Sequence, residues 1–446
     1  MHLVNLRVGA VMAAIISIVM LQGCATHAQK SADMRQHLLH GRPDMALMEV
    51  EKEGQSDDVL VNMNLGILRR MNRDYAGSNQ ALETAKRKIE ELYATSITEQ
   101  AGAVIINDEA ISFDGDRYEQ VLVHAYKALN YIAMGDLDAA RVEILQSDVK
   151  MMEWGETPEE DPFARYLAGI VFETLGEKDD ALISYRKAVQ VYKNSKDRHG
   201  LNVPTQLKQD LLRMLADARL WNEFKQYQQE FGMAGWKPPS TNGMGELVVL
   251  MHNGLAPQRD QTGFQTWSTE LALNIRVAVP HYPHPPAYVN QVKLSVANDS
   301  KLLETVENID GLARASLDAD MPIITARAIA RAVVKKKTEK EAGDRGNGLM
   351  QLAMLVVNTA TEIADTRCWN TLPQEIQLGR VLLPAGSHEV RMDVIGMGGR
   401  IVDSYTIPVT IKAGRKTIIS EHWTAPRPVV EPQAVGNGTV TAASNR

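Results

Sequence analysis

Three times in the first half of this 446-residue chain, a small residue is followed twelve positions later by another, with a turn signal between them. Gly66 and Ser78 flank Arg73-Asp74-Tyr75, Ala128 and Ala140 flank Gly135-Asp136, and Gly169 and Ala181 flank Gly176-Glu177. Apolar residues recur at helical spacing between the turns, so each unit reads as two helices joined tightly. Small side chains at matched positions let two helix backbones approach. Few architectures accept that pattern three times over.

Stacked helical hairpins do, and the units resemble the tetratricopeptide repeat. Gly41-Arg42-Pro43-Asp44 with Ala46 resembles a degenerate first repeat, and Leu211 to Phe231 a terminal one. The helical region is expected over 34–235. Gly135 to Gly176 exceeds one repeat of about 34 residues, which predicts an inserted loop over Met151 to Asp161. A longer break is expected over Ala94 to Arg117, with Tyr118-Glu119 opening the next helix. Solenoids of this kind offer a concave groove. By helical spacing Asn64, Arg70, Tyr166 and Glu173 fall on it, as candidate residues for binding a protein partner.

Past Trp236-Lys237-Pro238-Pro239-Ser240, read as a junction, the period changes. Strands are expected at Gly245 to Met251, Leu271 to Val279 (stopping at Pro280) and Gln291 to Val296. Four more follow at Ile376 to Leu383, His388 to Ile395, Ile401 to Ile411 and Lys416 to His422, spaced as in an antiparallel sandwich. Leu383-Pro384-Ala385-Gly386 reads as a hairpin turn. A helical pair is expected inside this β-rich region over 324–364. Its first helix, Ile324 to Ala342, places Ala326, Ile329, Ala330, Val333 and Val334 on one face. Its second covers Leu349 to Ala364. The fold class is α+β: a tetratricopeptide-like α-solenoid, then a β-sandwich-like region over 241–425 and a disordered tail over 426–446.

The amino terminus says where such a chain would work. Arg7 precedes an apolar run from Val8 to Leu21, too short for a spanning helix of about 20 residues. Leu21-Gln22-Gly23-Cys24 then resembles the bacterial lipobox. The resemblance implies a signal peptide over 1–23, cleavage between Gly23 and Cys24, and palmitate-type acylation of Cys24. Several acyl chains together hold a protein stably on a bilayer. Ala25, where an inner-membrane retention signal would have Asp, points to the outer membrane and its periplasmic side. Residues 24–33 form a tether.

The formal charge of −7 becomes one unit more negative when Arg7 is removed, which argues against nucleic-acid partners. With Cys24 acylated, Cys368 has no cysteine to pair with. Beside Trp369 it reads as a packed thiol. Asp108, Asp114 and Asp116 do not follow the Ca2+-loop pattern, and His281 with His284 sits in a proline-rich loop. Neither predicts a metal site, and no cofactor is expected.

The chain resembles a proteobacterial family of lipoproteins with tetratricopeptide-like repeats. The residues are Tyr118-Glu119, Ala128-Leu129-Asn130-Tyr131, Gly135-Asp136, Asp365-Thr366-Arg367 with Trp369, Leu372-Pro373, and Leu383-Pro384-Ala385-Gly386. The expected function is non-enzymatic: an outer-membrane lipoprotein that scaffolds or regulates a periplasmic envelope complex through protein contacts. The alternatives are a module that binds or acts on cell-wall glycan, and a secretion-system accessory.

Overall fold

The computed structural model describes residues 27–52, 58–103, 112–154, 160–269, 273–283, 290–297, 299–344 and 364–426. Cys24 and the Gly23–Cys24 bond lie outside the described residues, as do Asp108, His284, the expected second insert helix up to 363 and the tail from 427.

The first half is a run of helices: α1 (His27–Lys30), α2 (Ala32–Leu39), α3 (Pro43–Glu51), α4 (Val59–Met71), α5 (Tyr75–Ala103), α6 (Arg117–Met134), α7 (Leu137–Trp154), α8 (Pro162–Leu175), α9 (Lys178–His199), α10 (Thr205–Asp217) and α11 (Trp221–Glu230). They pair as α4–α5, α6–α7 and α8–α9, the three units read from the sequence. The small residues sit where the helices touch. A Cβ on Gly66 would come 2.4 Å from Leu82 Cδ2, and one on Gly169 2.3 Å from the Tyr185 ring. Gly135 and Gly176 end α6 and α8 with φ of 80° and 84°, left-handed backbone that glycine adopts without penalty. α5 continues to Ala103, into the segment expected to break from Ala94; residues 94–101 carry no glycine or proline to stop it. Residues 151–154, expected in a loop, belong to α7.

The second half holds β1 (Met244–Asn253), β2 (Asp260–Ser268), β3 (Leu273–His281), β4 (Gln291–Val296), β5 (Asp299–Leu302), β6 (Glu304–Asn308), α12 (Ile309–Asp344), β7 (Glu375–Pro384), β8 (Gly386–Ile395), β9 (Ile401–Ile411) and β10 (Lys416–Trp423). Among the described residues, one four-stranded sheet runs β10-β1-β7-β6 and another β5-β4-β8-β9, with β2–β3 a separate ribbon. Leu247, Val249 and Met251 of β1 meet Val292, Leu294, Val390, Met392 and Val394, so the two sheets face each other over a shared core.

Several expectations need correction. The first sheet is mixed, not antiparallel: β10 runs parallel to β1. Leu383 to Gly386 is no hairpin within a sheet, because β7 pairs with β1 and β6 while β8 pairs with β4 and β9. The turn carries the chain from one sheet to the other. β3 passes through Pro280, which a two-stranded ribbon tolerates because both its strands are edges. The insert helix starts at Ile309 rather than Ile324 and contains Pro322. Ala328 and Ala332 pack on Ile275, Val277 and Val279 of β3, while Val334 is exposed and Arg331 is buried. Ile329 and Val333 pack against the same cluster, so the buried face overlaps the expected one and is shifted toward Ala328 and Ala332.

β1 explains how the halves meet. Its odd-numbered residues enter the inter-sheet core; Val248, Leu250 and His252 point the other way, at the helices. A strand apolar on both faces needs two covers. The second cover is the concave side of the helical hairpins. Val248, Leu250, Val306, Ile376 and Leu378 share one cluster with Tyr126, Phe163, Tyr166 and Tyr192.

Candidate functional site

The four residues chosen for a partner-binding groove all lie on that concave face, and the chain's own second half covers them. Asn64 Oδ1 accepts from Thr371 Oγ1 at 3.0 Å. Arg70 donates to Ser420 Oγ of β10 at 2.6 Å. Tyr166 donates to Asp210 at 2.6 Å and stacks edge-on with Tyr185. Glu173 accepts from Arg380 of β7 at 3.0 Å. This corrects the open groove: the strands cross the helices one after another, β10 at α4, β1 at α6, β7 at α8 to α10, and β6 at α9. Along the same face an irregular segment, 364–374, with a turn at Asn370-Thr371, is held by the helices. Trp369 N–H donates to Glu119 at 2.7 Å, Asn370 to Ser31 at 2.9 Å, and the Trp369 ring meets Tyr126 edge-on.

At one end of the face stands a charge cluster. Arg380 continues the inward series Ile376, Leu378 of β7, so its guanidinium enters the apolar interface. It donates to Asp210 at 2.6 Å, Glu173 at 3.0 Å and Glu246 at 2.7 and 2.8 Å. Arg213 and Lys416 add cations against Glu173, at 2.5 and 2.9 Å. Three cations thus interleave with three carboxylates. Burial pushes the Glu246 carboxyl up, but Arg380 and Lys416 overcome it and hold it at about 2. Glu173 is likewise held well below the ordinary carboxylate range by Arg380, Arg213 and Lys416, against burial. A cavity of about 860 Å³ opens beside the cluster, walled by Trp236, Pro238, Lys237 and Lys301.

At the other end lies Arg70, among Asn130, Ser420, Tyr75 and Tyr126. Burial lowers its pKa to about 10. Beside it, His252 and His422 stack with ring centroids 4.3 Å apart. His252 Nε2 lies 2.8 Å from Ser420 Oγ, and its Nδ1 3.1 Å from Tyr126 Oη. Burial holds both histidines well below the usual imidazole range, with His422 itself lowering His252 further and Arg70's charge lowering both. Ser420 Oγ also accepts from Arg70. The serine–histidine contact was invisible in the sequence, being 168 positions apart.

Between the ends, Glu119 is fully buried. It closes a capping box with Asp116, and burial together with the Asp116 charge raises its pKa to about 8, against the N–H of Trp369. Asp116 pairs with Arg259 at 2.6 Å. Cys368 is packed, as expected; its thiol donates to Asn370 and burial raises it to about 11. Among the described residues no His, Cys, Asp and Glu group is arranged to hold a metal ion, and no helix is long and apolar enough to cross a membrane.

No family model matches the chain, and no curated protein matches it. Solved structures with likeness include MamA of AMB-1, at 17% identity over 46% of this chain and 87% of that one, TM-score 0.28. MamA 41-end from Desulfovibrio magneticus RS-1 is 13% identical over 46% and 94%, TM-score 0.30. The apo form of RapI is 14% identical over 49% and 56%, TM-score 0.33. Likenesses of this size add nothing to the hairpin geometry described above.

Proposed function

We propose that this protein is a non-enzymatic, lipid-anchored scaffold of a periplasmic envelope assembly, and that it holds partner proteins on the outward face of its helical half. The observation that carries this reading is a row on α7. Val142, Leu145, Val149 and Met152, spaced three, four and three apart, are each between 39% and 64% exposed. The Lys86–Gln146 and Lys187–Asp148 contacts set α5 and α9 on either side of α7, where Tyr93 and Ile183 are also exposed. An exposed apolar row of this kind marks protein interaction sites. With the concave face covered, the outward face of the hairpins stays open to a partner.

The sequence supports the anchor: Cys24, acylated after cleavage behind Gly23, would tie the chain to outer-membrane lipid on the periplasmic side. Crosslinking and mass spectrometry on intact cells tests the surface. Val149→Asp with Met152→Asp should remove the envelope proteins crosslinked to wild type while circular dichroism is unchanged, since surface changes cost about 0.5 kcal/mol or less. Identical crosslinks from the double variant would overturn the reading. For the anchor, Cys24→Ala should leave an unprocessed precursor; normal size and normal membrane fractionation in that variant refute it.

A further inference from the structure

Arg70 is 2% exposed and, among the described residues, no carboxylate is in hydrogen-bond contact with it. Its terminal nitrogens donate to Asn130 and Ser420, both neutral, and its guanidinium lies 5.6 and 5.9 Å from the Tyr75 and Tyr126 ring centroids. These groups orient the charge without neutralising it. Three other buried arginines are neutralised: Arg380 by Asp210, Glu173 and Glu246, Arg259 by Asp116, Arg165 by Glu160 and Asp148. A buried cation is costly unless an opposite charge reaches it.

Arg70 also does not end in solid packing. It forms part of the wall of a pocket of about 270 Å³ together with Arg73, Tyr75, Ser420 and His422. Glu421 lines the pocket too and its charge reaches Arg70, but it is paired with Arg73 at 3.3 Å and makes no hydrogen bond to Arg70, so two cations face one carboxylate there. Two buried nitrogens there, Arg70 Nε and His422 Nε2, have no hydrogen-bond partner among the described residues.

We propose that this pocket is a binding site for a small oxyanion, carboxylate or phosphate, with Arg70 as its counter-charge and His422 as a further donor. Guanidinium matches both anions because its N–H groups are planar and parallel to paired oxygens. His422 stays neutral, so it offers one N–H without adding charge. Arg73 at the mouth, 70% exposed, attracts the anion electrostatically. The site is independent of the outward face on α7.

Calorimetric titration of the purified mature protein with inorganic phosphate and, separately, acetate, against chloride at equal ionic strength, tests this. One equivalent of saturable binding is expected. Arg70→Gln should weaken it by about tenfold or more, since the lost contact is charge-assisted. Arg73→Glu, a surface change that leaves the fold intact, should weaken it about threefold, and Arg87→Gln on the far side of α5 should not. Saturation by phosphate alone assigns the phosphate class, by acetate alone the carboxylate class, and by both a site that reads charge. No saturable binding of either anion overturns the proposal. So does undiminished binding in Arg70→Gln or, should that variant not fold, in Arg73→Glu.

Discussion

The two ends of the concave face each bury an arginine, and they solve the problem of its charge differently. Arg380 enters with three carboxylates around it, so its Coulomb partners offset desolvation. Arg70 enters with an amide, a hydroxyl and two aromatic rings. The first arrangement locks the two halves together. The second leaves Arg70 with no hydrogen-bonded carboxylate, beside open space.

The largest effect should come from Arg380→Ala. It leaves Glu173, Asp210 and Glu246 facing one another with Arg213 and Lys416 alone, which should cost about 3–5 kcal/mol and show in urea unfolding as a lower midpoint. Arg70→Met removes an uncompensated charge and should stay within about 1 kcal/mol of wild type, the lost hydrogen bonds being offset by relief of desolvation. Equal destabilisation by the two would break the comparison.

Smaller steric changes sharpen it. Gly169→Ala brings a Cβ 2.3 Å from the Tyr185 ring, and Tyr185 donates to Glu173 at 2.7 Å. Overpacking there should cost about 1–3 kcal/mol and disturb the Arg380 cluster. Gly66→Ala meets Leu82 Cδ2 and Cγ at 2.4 and 2.6 Å, a smaller side chain than the Tyr185 ring and one with no hydrogen bond to lose, so its thermal midpoint should fall less. A larger loss from Gly66→Ala would contradict this.

The mildest test is pH. His252 and His422 have folded pKa values below their unfolded ones, so the unfolded chain takes up protons first. Their contribution is complete above about 6.5 and declines as pH falls below it. Glu173 and Glu246 are also depressed, but from carboxylate values; their contribution persists until pH falls below about 4.5, Glu246's being lost toward about 2. Protection factors, corrected for the slower intrinsic amide exchange at lower pH, should therefore fall around β10 and α4 between pH 7 and 5 before they fall around β7 and α8. The reverse order would refute the assignment.

Helical hairpins were readable because their signals are local: Gly66 with Ser78, or Gly169 with Ala181, meet across one tight turn. β1 was readable as a doubly buried strand, since Leu247 to Leu250 are apolar without alternation. What covers its second face was not. β2, β5 and β6 escaped notice because they are polar, exposed or short. Asn64, Arg70, Tyr166 and Glu173, expected to line an open groove, are instead taken up by contacts within the chain.

Periodicity along a chain states which side of an element is apolar or which residues share a helical face, and for this protein it identified the hairpins, the change of period after Trp236 and a motif ending at Cys24. It does not state what that side will touch. Arg70 meets Ser420 across 350 positions, Arg380 meets Asp210 across 170, and His252 meets Ser420 across 168. Such contacts leave no spacing to read, because they form only when sheet and solenoid close on each other and exclude water. Whether a buried arginine gains a carboxylate or lacks one is settled at that closure.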